Sequence, residues 1–385
     1  MSDQLRQSLR PFGTSIFSVI TDLAVRHGAI NLAQGFPDFD PPERLVAAAV
    51  EALAGGFSQY APSIGYADLR RAIAAHQATH YGQSWDPDTE VTVTVGATEA
   101  IWSAVGALTE PGDEVVLVEP YYDMYPPAVV TAGCVPRYVR TGGFPDFAVD
   151  LDQLADTVGP RTRLVVVNTP MNPAGRRFGA DELRVLGELC ERHDAYVIAD
   201  ETYEHILFDG LAHRPVVSEP ALARRTVTVS SVSKTFSATG WRVGWAVAPA
   251  ELTDALRKVH QFVTFTASSP LQHATAAMLA EAGPDFYAGL TADYTERRDI
   301  LLGYLGKTDL ELARPEGAYF LMTRCDGDDV AYCQQLVTRA GVTAIPASAF
   351  WSEPARGRGL VRFAFCKRVE TLRRAGERLV APAEA

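Results

Sequence analysis

A chain of 385 residues with 47% hydrophobic and 21% charged content can bury a large core, enough for two domains or one large α/β domain with an appendage. Its net charge of −12, with no basic run to offset it, argues against nucleic acid as a partner. Five scattered cysteines without a C-x-x-C pair fit a reducing cytoplasm and suggest neither a disulfide frame nor a zinc site, and no apolar run is long enough to cross a membrane or direct secretion.

From residue 90 to 250 the pattern is α/β. Short β-rich runs, VTVTV (91–95), EVVLVEP (114–120), RLVVVNTP (163–170), AYVIADE (195–201) and TVTVSS (226–231), are separated by helical stretches or long connections. ATEAIWSAVGALTE and GADELRVLGELCERHD are the clearest helices. Strands this continuously apolar belong in a mostly parallel sheet covered by helices on both faces. Beyond residue 270, LQHATAAMLAEA and DFYAGLTADYTERRDILLGYLG read as helices, GAYFLM and LVRFAF as strands, and RVETLRRAGERLV as a closing helix. The expected organisation is an N-terminal arm with part of a small domain (1–44), a large domain (45–285) and a small C-terminal domain (286–385), with a frayed tail, APAEA.

Ligands of an open parallel sheet bind beyond the carboxyl ends of its strands, so the polar residues there carry the argument. The first strand runs into Gly96-Ala97-Thr98 at a helix start, where free backbone N–H groups can hold a phosphate. The second ends at Tyr121 and Tyr122, either packing residues or a stacking platform. The third ends in NTPMNPAG, holding Asn168 and Asn172, residue types that turns favour in any case. The fourth ends at Asp200, which follows an apolar run and needs a strong partner if buried, with Tyr203 three residues on. The last delivers Ser231, Lys234 and Arg242. Only four lysines occur in the chain, and one set among small hydroxyl residues is either a paired structural cation or an amine made nucleophilic by desolvation. Taken together, a phosphate cradle, an aromatic face, an Asn, a buried Asp, a Tyr, an amine and an Arg describe pyridoxal 5′-phosphate. No metal is expected.

On these residues the chain resembles the class I/II aminotransferases of the fold-type I pyridoxal-phosphate family. SKTFSATGWRVGW is similar to the family's cofactor-lysine signature, NTPMNPAG to its N-x-P-x-N-P-T/S-G loop, ADETY to its D-E-x-Y, and TVGATEAI to its phosphate-cup helix start. The likeness runs from INLAQGFPDF (30–39) to VRFAFCK (361–367). It implies a mostly parallel central sheet of the seven-stranded type, covered by helices, and a smaller α+β domain formed by both chain ends. It implies that Lys234 forms the imine with the cofactor and later acts as general base, that Asp200 pairs with the ring nitrogen, and that Asn172 and Tyr203 bond the phenolic oxygen. Tyr122 would stack on the ring, and Gly96, Ala97, Thr98, Ser231 and Arg242 would hold the phosphate. Tyr60 would reach a neighbouring subunit's phosphate in a homodimer with shared sites. Arg362 would take the substrate carboxylate, with Gly35, Asn172 and Phe17 beside it. Two departures, Met171 with Ala174 in the proline loop and Ser58 ahead of Gln59, leave the cofactor contacts intact and bear on the substrate side.

The branch it resembles holds kynurenine/glutamine, methionine and some succinyl-diaminopimelate aminotransferases. The implied reaction moves the amino group of a non-dicarboxylic L-amino acid to a 2-oxo acid. Phe17, Tyr66, Tyr121, Phe265, Phe350 and Trp351 are candidates for an apolar side-chain pocket, and residues 262–270 offer no arginine for a second carboxylate. A β- or γ-eliminating lyase on the same scaffold is the alternative, and a sensor of the cofactor or an amino acid is a third reading.

Overall fold

The computed structural model describes residues 7–9, 12–13 and 16–381. Residues 1–6, 10–11 and 14–15 of the expected arm and 382–385 of the expected tail lie outside the described residues. Among the described residues seven strands form the large sheet. Their spatial order is Val91–Thr94, Gly244–Val247, Thr226–Ser231, Tyr196–Asp200, Thr162–Asn168, Glu114–Glu119 and Val135–Arg140. From Thr226–Ser231 to Val135–Arg140 every neighbouring pair is parallel, whereas Gly244–Val247 runs antiparallel to both of its neighbours.

The apolar runs explain this placement. Along a strand alternate side chains face opposite sides, and here both sides are covered. Val165, Val167, Val197 and Ala199 pack with Leu183, Leu186 and Leu189 of the helix Ala180–His193. On the other face Leu164, Val166, Ile198 and Val229 pack with Ile101, Ala104 and Val105 of the helix Gly96–Leu108. Each Val, Leu or Ile among them contributes about 1.5–3 kcal/mol against leaving it in water.

A second sheet runs in the order Ile345–Pro346, Leu360–Ala364, Phe320–Arg324, Glu311–Ala313 and is antiparallel. The N-terminal strand Ile30–Asn31 pairs in parallel with Val342–Thr343, so a segment from each end of the chain shares one small layer. Leu32 is fully buried beside it among Phe363, Val342 and Ala344.

The parallel register brings the strand ends together. Asn168 lies opposite Asp200, Asp200 opposite Val229, and Ser231 opposite Gly244, which in turn lies opposite Thr94. Gly244 is required by this crowding, since a Cβ there would lie 2.6 Å from the carbonyl carbon of Gly96. Five strands and the start of the helix Gly96–Leu108 therefore meet at one rim.

Candidate active site

At that rim lies a cavity of about 410 Å³ lined by groups from both ends of the chain. Its floor is Asp200, 5% exposed. One carboxylate oxygen accepts from the Tyr125 hydroxyl at 2.7 Å and the other from the Thr202 hydroxyl at 2.9 Å. Burial pushes the Asp200 carboxyl up, while the Tyr125 and Thr202 hydrogen bonds and the charge of Lys234 pull it down. Both of these hydrogen-bond partners are neutral, so the carboxylate still lacks the cation that burial calls for.

Lys234 stands in the four-residue helix Val232–Thr235, whose N-cap Ser231 accepts from the Ser233 N–H at 3.3 Å. Burial lowers its amine to about 8. Its hydrogen bond, to the Gly35 carbonyl, is long at 3.5 Å, and Nζ stands 5.6 Å and 5.5 Å from the ring centroids of Tyr203 and Tyr319. An amine held this loosely is available for chemistry.

Beside the floor, the first turn of the helix Gly96–Leu108 presents Ala97 and Thr98 to the cavity. The leading N–H groups of a helix have no intrahelical acceptor and attract anions. Gly96 has φ +75° and touches the guanidinium of Arg242, where a Cβ would come 2.5 Å from Nη2. Arg242 stands at the exposed mouth and donates to the Thr239 carbonyl at 3.0 Å. Ser233 adds a buried hydroxyl with no hydrogen-bond partner. The tyrosine pair splits: Tyr122 lines the cavity, its hydroxyl pushed up to about 12 by burial, whereas Tyr121 does not.

The opposite end holds Arg362, 1% exposed, which donates to Asn172 Oδ1 and to the Ala33 carbonyl, both at 2.8 Å. Its Nε is buried without a partner. The guanidinium carbon stands 4.1 Å from the ring centroid of Phe320, 5.0 Å from that of Phe350 and 5.1 Å from that of Phe17. Burial lowers it to about 10, so it stays charged at neutral pH. Gly35 lies against Phe320, where a Cβ would stand 2.7 Å from the ring. The loop around it is fixed by its carbonyls: Tyr319 donates to that of Gly35 at 2.6 Å, and Lys367 to those of Gln34 and Phe36 at 3.2 and 2.6 Å.

Of the expected residues, Ala97, Thr98, Tyr122, Asn172, Asp200, Tyr203, Ser231, Lys234, Arg242, Arg362, Gly35 and Phe17 line this one cavity, and Gly96 abuts it. Tyr60 does not. It is 84% exposed on another face, in edge contact with the ring of Phe265. The other pocket candidates Tyr66, Tyr121, Phe265, Phe350 and Trp351 are absent from the lining, and Phe350 is core packed behind Arg362. Met171 and Ala174 are likewise buried in the core under the sheet and do not reach the cavity. Sequence reasoning missed Tyr125, Thr202, Ser233, Tyr319 and Lys367. For Thr202 and Ser233 a signal existed, since both lie inside motifs already singled out.

The donor set fits pyridoxal phosphate: a buried carboxylate lacking a cation, a loosely held amine, and a helix start with a buried unpartnered hydroxyl beside it. Comparison with known proteins agrees. A model of the family "Aminotransferase class I and II" matches residues 27–379. The "Probable N-succinyldiaminopimelate aminotransferase DapC" of Mycobacterium tuberculosis is 44% identical, with 98% of each chain covered. The "Methionine aminotransferase" of Escherichia coli is 42% identical, with 97% of each covered. A solved structure of N-succinyldiaminopimelate aminotransferase from Mycobacterium tuberculosis superposes with a TM-score of 0.93 at 43% identity, covering 98% of this chain and 99% of that one. The relatives are aminotransferases, which leaves the eliminating-lyase reading without support. The chain belongs to the class I and II aminotransferases, fold-type I enzymes that use pyridoxal phosphate to move an amino group from an amino acid to a 2-oxo acid.

Proposed function

We propose that this cavity performs the transfer on a neutral, thioether, amide, guanidino or aromatic L-amino acid rather than on a dicarboxylic one. The observation that carries the reading is the charge of the lining. One buried guanidinium, Arg362, stands at the aromatic end with an unused Nε, the other lining guanidinium, Arg242, stands at the helix start, and the carboxylate of Asp123 faces the same space. A single clamp takes the α-carboxylate in the planar, two-point manner of arginine. A second carboxylate on the substrate would meet Asp123 without a cation of its own. The name of the relative called a methionine aminotransferase supports this choice.

When bound, pyridoxal phosphate supplies an aldehyde that condenses with amines and a ring that stores the electron pair released at the amino acid's α-carbon. The chain's own residues do the rest. Lys234 anchors the cofactor, then takes the proton from the substrate α-carbon on Nζ and returns it, a role commonly worth about 10²–10⁴ in rate. Asp200, its two oxygens held by the Tyr125 and Thr202 hydroxyls, would pair with the ring nitrogen and keep it protonated. Asn172 and Tyr203 would hold the phenolic oxygen, with Tyr122 beside the ring. The N–H groups of Gly96, Ala97 and Thr98, with Ser231, Ser233 and Arg242, would take the phosphate. Gly35 and Phe17 wall the carboxylate end, so that Arg362 fixes the Cα–H bond relative to Nζ.

The organisation we infer is a cofactor-binding unit over 45–285 and a smaller unit from 1–44 and 286–385, assembled as a homodimer with shared sites. The exposure of Tyr60 together with that of Phe262 (86%), Val50 (60%) and Leu53 (59%) supports a covered face from which Tyr60 reaches the partner's phosphate. Five buried, unpaired cysteines support a reducing, cytoplasmic setting, and no helix among the described residues is long and apolar enough to cross a membrane. The test is kcat/KM across methionine, phenylalanine, glutamine, arginine, aspartate and N-succinyl-diaminopimelate with a common 2-oxo acid. Preference for a neutral donor by tenfold or more is expected. A dicarboxylic or succinylated donor ranking first would overturn the substrate assignment, and a monomer by light scattering would overturn the shared site.

A further inference from the structure

On the far side of the Asp200 turn lies a second cluster that the transfer does not use. Four of the chain's eight histidines, His76, His80, His205 and His213, gather between the helix Ala67–Tyr81 and the segment after Asp200. His76, Glu204 and His205 each offer a ligand atom, and these atoms lie within 4.8 Å of one another. His76 and Glu204 are 7% and 3% exposed.

Hydrogen bonding leaves the cluster incomplete. Glu204 accepts from Ser230 Oγ at 2.5 Å through Oε1, while Oε2 is buried with no partner. The Nε2 atoms of His76 and His205 stand 2.7 Å apart, and Nδ1 of His76 is also buried without a partner. A buried carboxylate oxygen that makes no hydrogen bond is costly; the Tyr81 hydroxyl near Glu204 is likewise buried without one, and the two imidazoles beside the carboxylate suit zinc and similar cations. His80, four residues from His76 on the same helix and half-exposed, has its ring 4.6 Å from that of His76 and 5.0 Å from that of His205. Its ring nitrogens lie outside the set that converges within 4.8 Å, so it borders the cluster on the more exposed side and turns inward if it is to ligate. Tyr287, its ring 4.2 Å from that of His205, closes one wall.

We propose that His76, His205 and Glu204 bind a divalent transition metal, zinc by preference, as a structural clamp, with His80 turning inward as the fourth ligand. Two imidazoles and a carboxylate are an ordinary zinc donor set. Two nitrogens on a tetrahedral zinc at about 2.05 Å stand about 3.3 Å apart, so binding spreads the two imidazoles by about half an ångström. Ser230 is the outer-shell partner that orients the carboxylate. The clamp joins the helix Ala67–Tyr81 to the turn that carries Tyr203 into the cavity, one residue before Glu204. It holds the back of the active-site floor without touching it.

The test uses the holoenzyme, stripped with a chelator and dialysed. Zinc content by mass spectrometry should return to about one per chain on adding zinc chloride. Zinc at a hundred times its Kd should raise Tm by about 3 °C. Cobalt in its place should give the visible bands of a tetrahedral site. His76→Ala and Glu204→Gln should each weaken zinc at least about 100-fold, and His80→Ala, at a half-exposed position that keeps the fold, several-fold. Wild-type protein that retains no zinc and shows no Tm change overturns the proposal. Stoichiometric zinc unaffected by His80→Ala and Glu204→Gln overturns it too, by placing the metal elsewhere. Neither result bears on the transfer reaction.

Discussion

The floor of the cavity and its carboxylate end are built by opposite means. The floor is side-chain chemistry delivered by adjacent strand ends: Asp200, Asn168 and Ser231 come from strands in register, and Lys234 follows Ser231 by three residues. The carboxylate end is backbone, the loop of residues 33–36, held by Arg362, Lys367 and Tyr319 from some three hundred residues away. The floor needs a few reactive groups in short motifs. The other end needs many donors converging on carbonyls, because a loop buried without partners would be too costly. Damage to the floor should therefore cost rate, and damage to the other end should cost binding and stability.

The largest expected effect is at the floor. Lys234→Ala should lower kcat by at least about 10³-fold with little change in Tm, measured with the best donor at saturation. Near-normal turnover would remove Lys234 from the chemistry. Next comes Arg362→Lys, which keeps the charge but loses the planar fork. KM for donor and acceptor should rise about 30- to 100-fold while kcat changes less. Tyr125→Phe leaves the ring packing and removes one hydrogen bond to Asp200. A loss of about tenfold in kcat, with weaker retention of the cofactor, is expected. Lys367→Met should sharpen the contrast: it leaves two loop carbonyls without their donor, costing about 1–3 kcal/mol in urea unfolding and raising KM a few-fold.

The lysine also gives a pH dependence. Only the neutral amine attacks an aldehyde, and burial lowers Lys234 to about 8. Recombination of cofactor-free protein with pyridoxal phosphate should therefore accelerate as pH rises, with a midpoint near 8. A midpoint near the ordinary lysine value would show that the amine is not desolvated.

The same contrast decides what could be read before the structure. Central strands such as Thr162–Asn168 declare themselves because both faces are buried and the middle, Leu164 to Val167, is apolar without a break. Val135–Arg140 does not, since it forms the sheet's edge and only Val139 is fully buried. Gly244–Val247 begins inside the lysine motif, whose last two residues are Gly244 and Trp245, and is too short to announce an antiparallel strand. Lys234, Asp200 and Asn172 are legible because they sit in compact motifs at strand ends. Tyr125, Tyr319 and Lys367 are not, because each acquires its role only when distant segments pack. Tyr60 shows a further limit: its expected place is in another subunit's cavity, and within one chain it simply faces outward.

The most direct test of the account is a single turnover without acceptor. Purified holoenzyme mixed with excess methionine, and no 2-oxo acid, should lose the visible absorption of its bound cofactor. It should release one equivalent of the corresponding 2-oxo acid per subunit, with no ammonia, and Lys234→Ala should release none. Ammonia in place of that stoichiometric product, or an equal yield from the Lys234→Ala protein, would contradict transfer through Lys234.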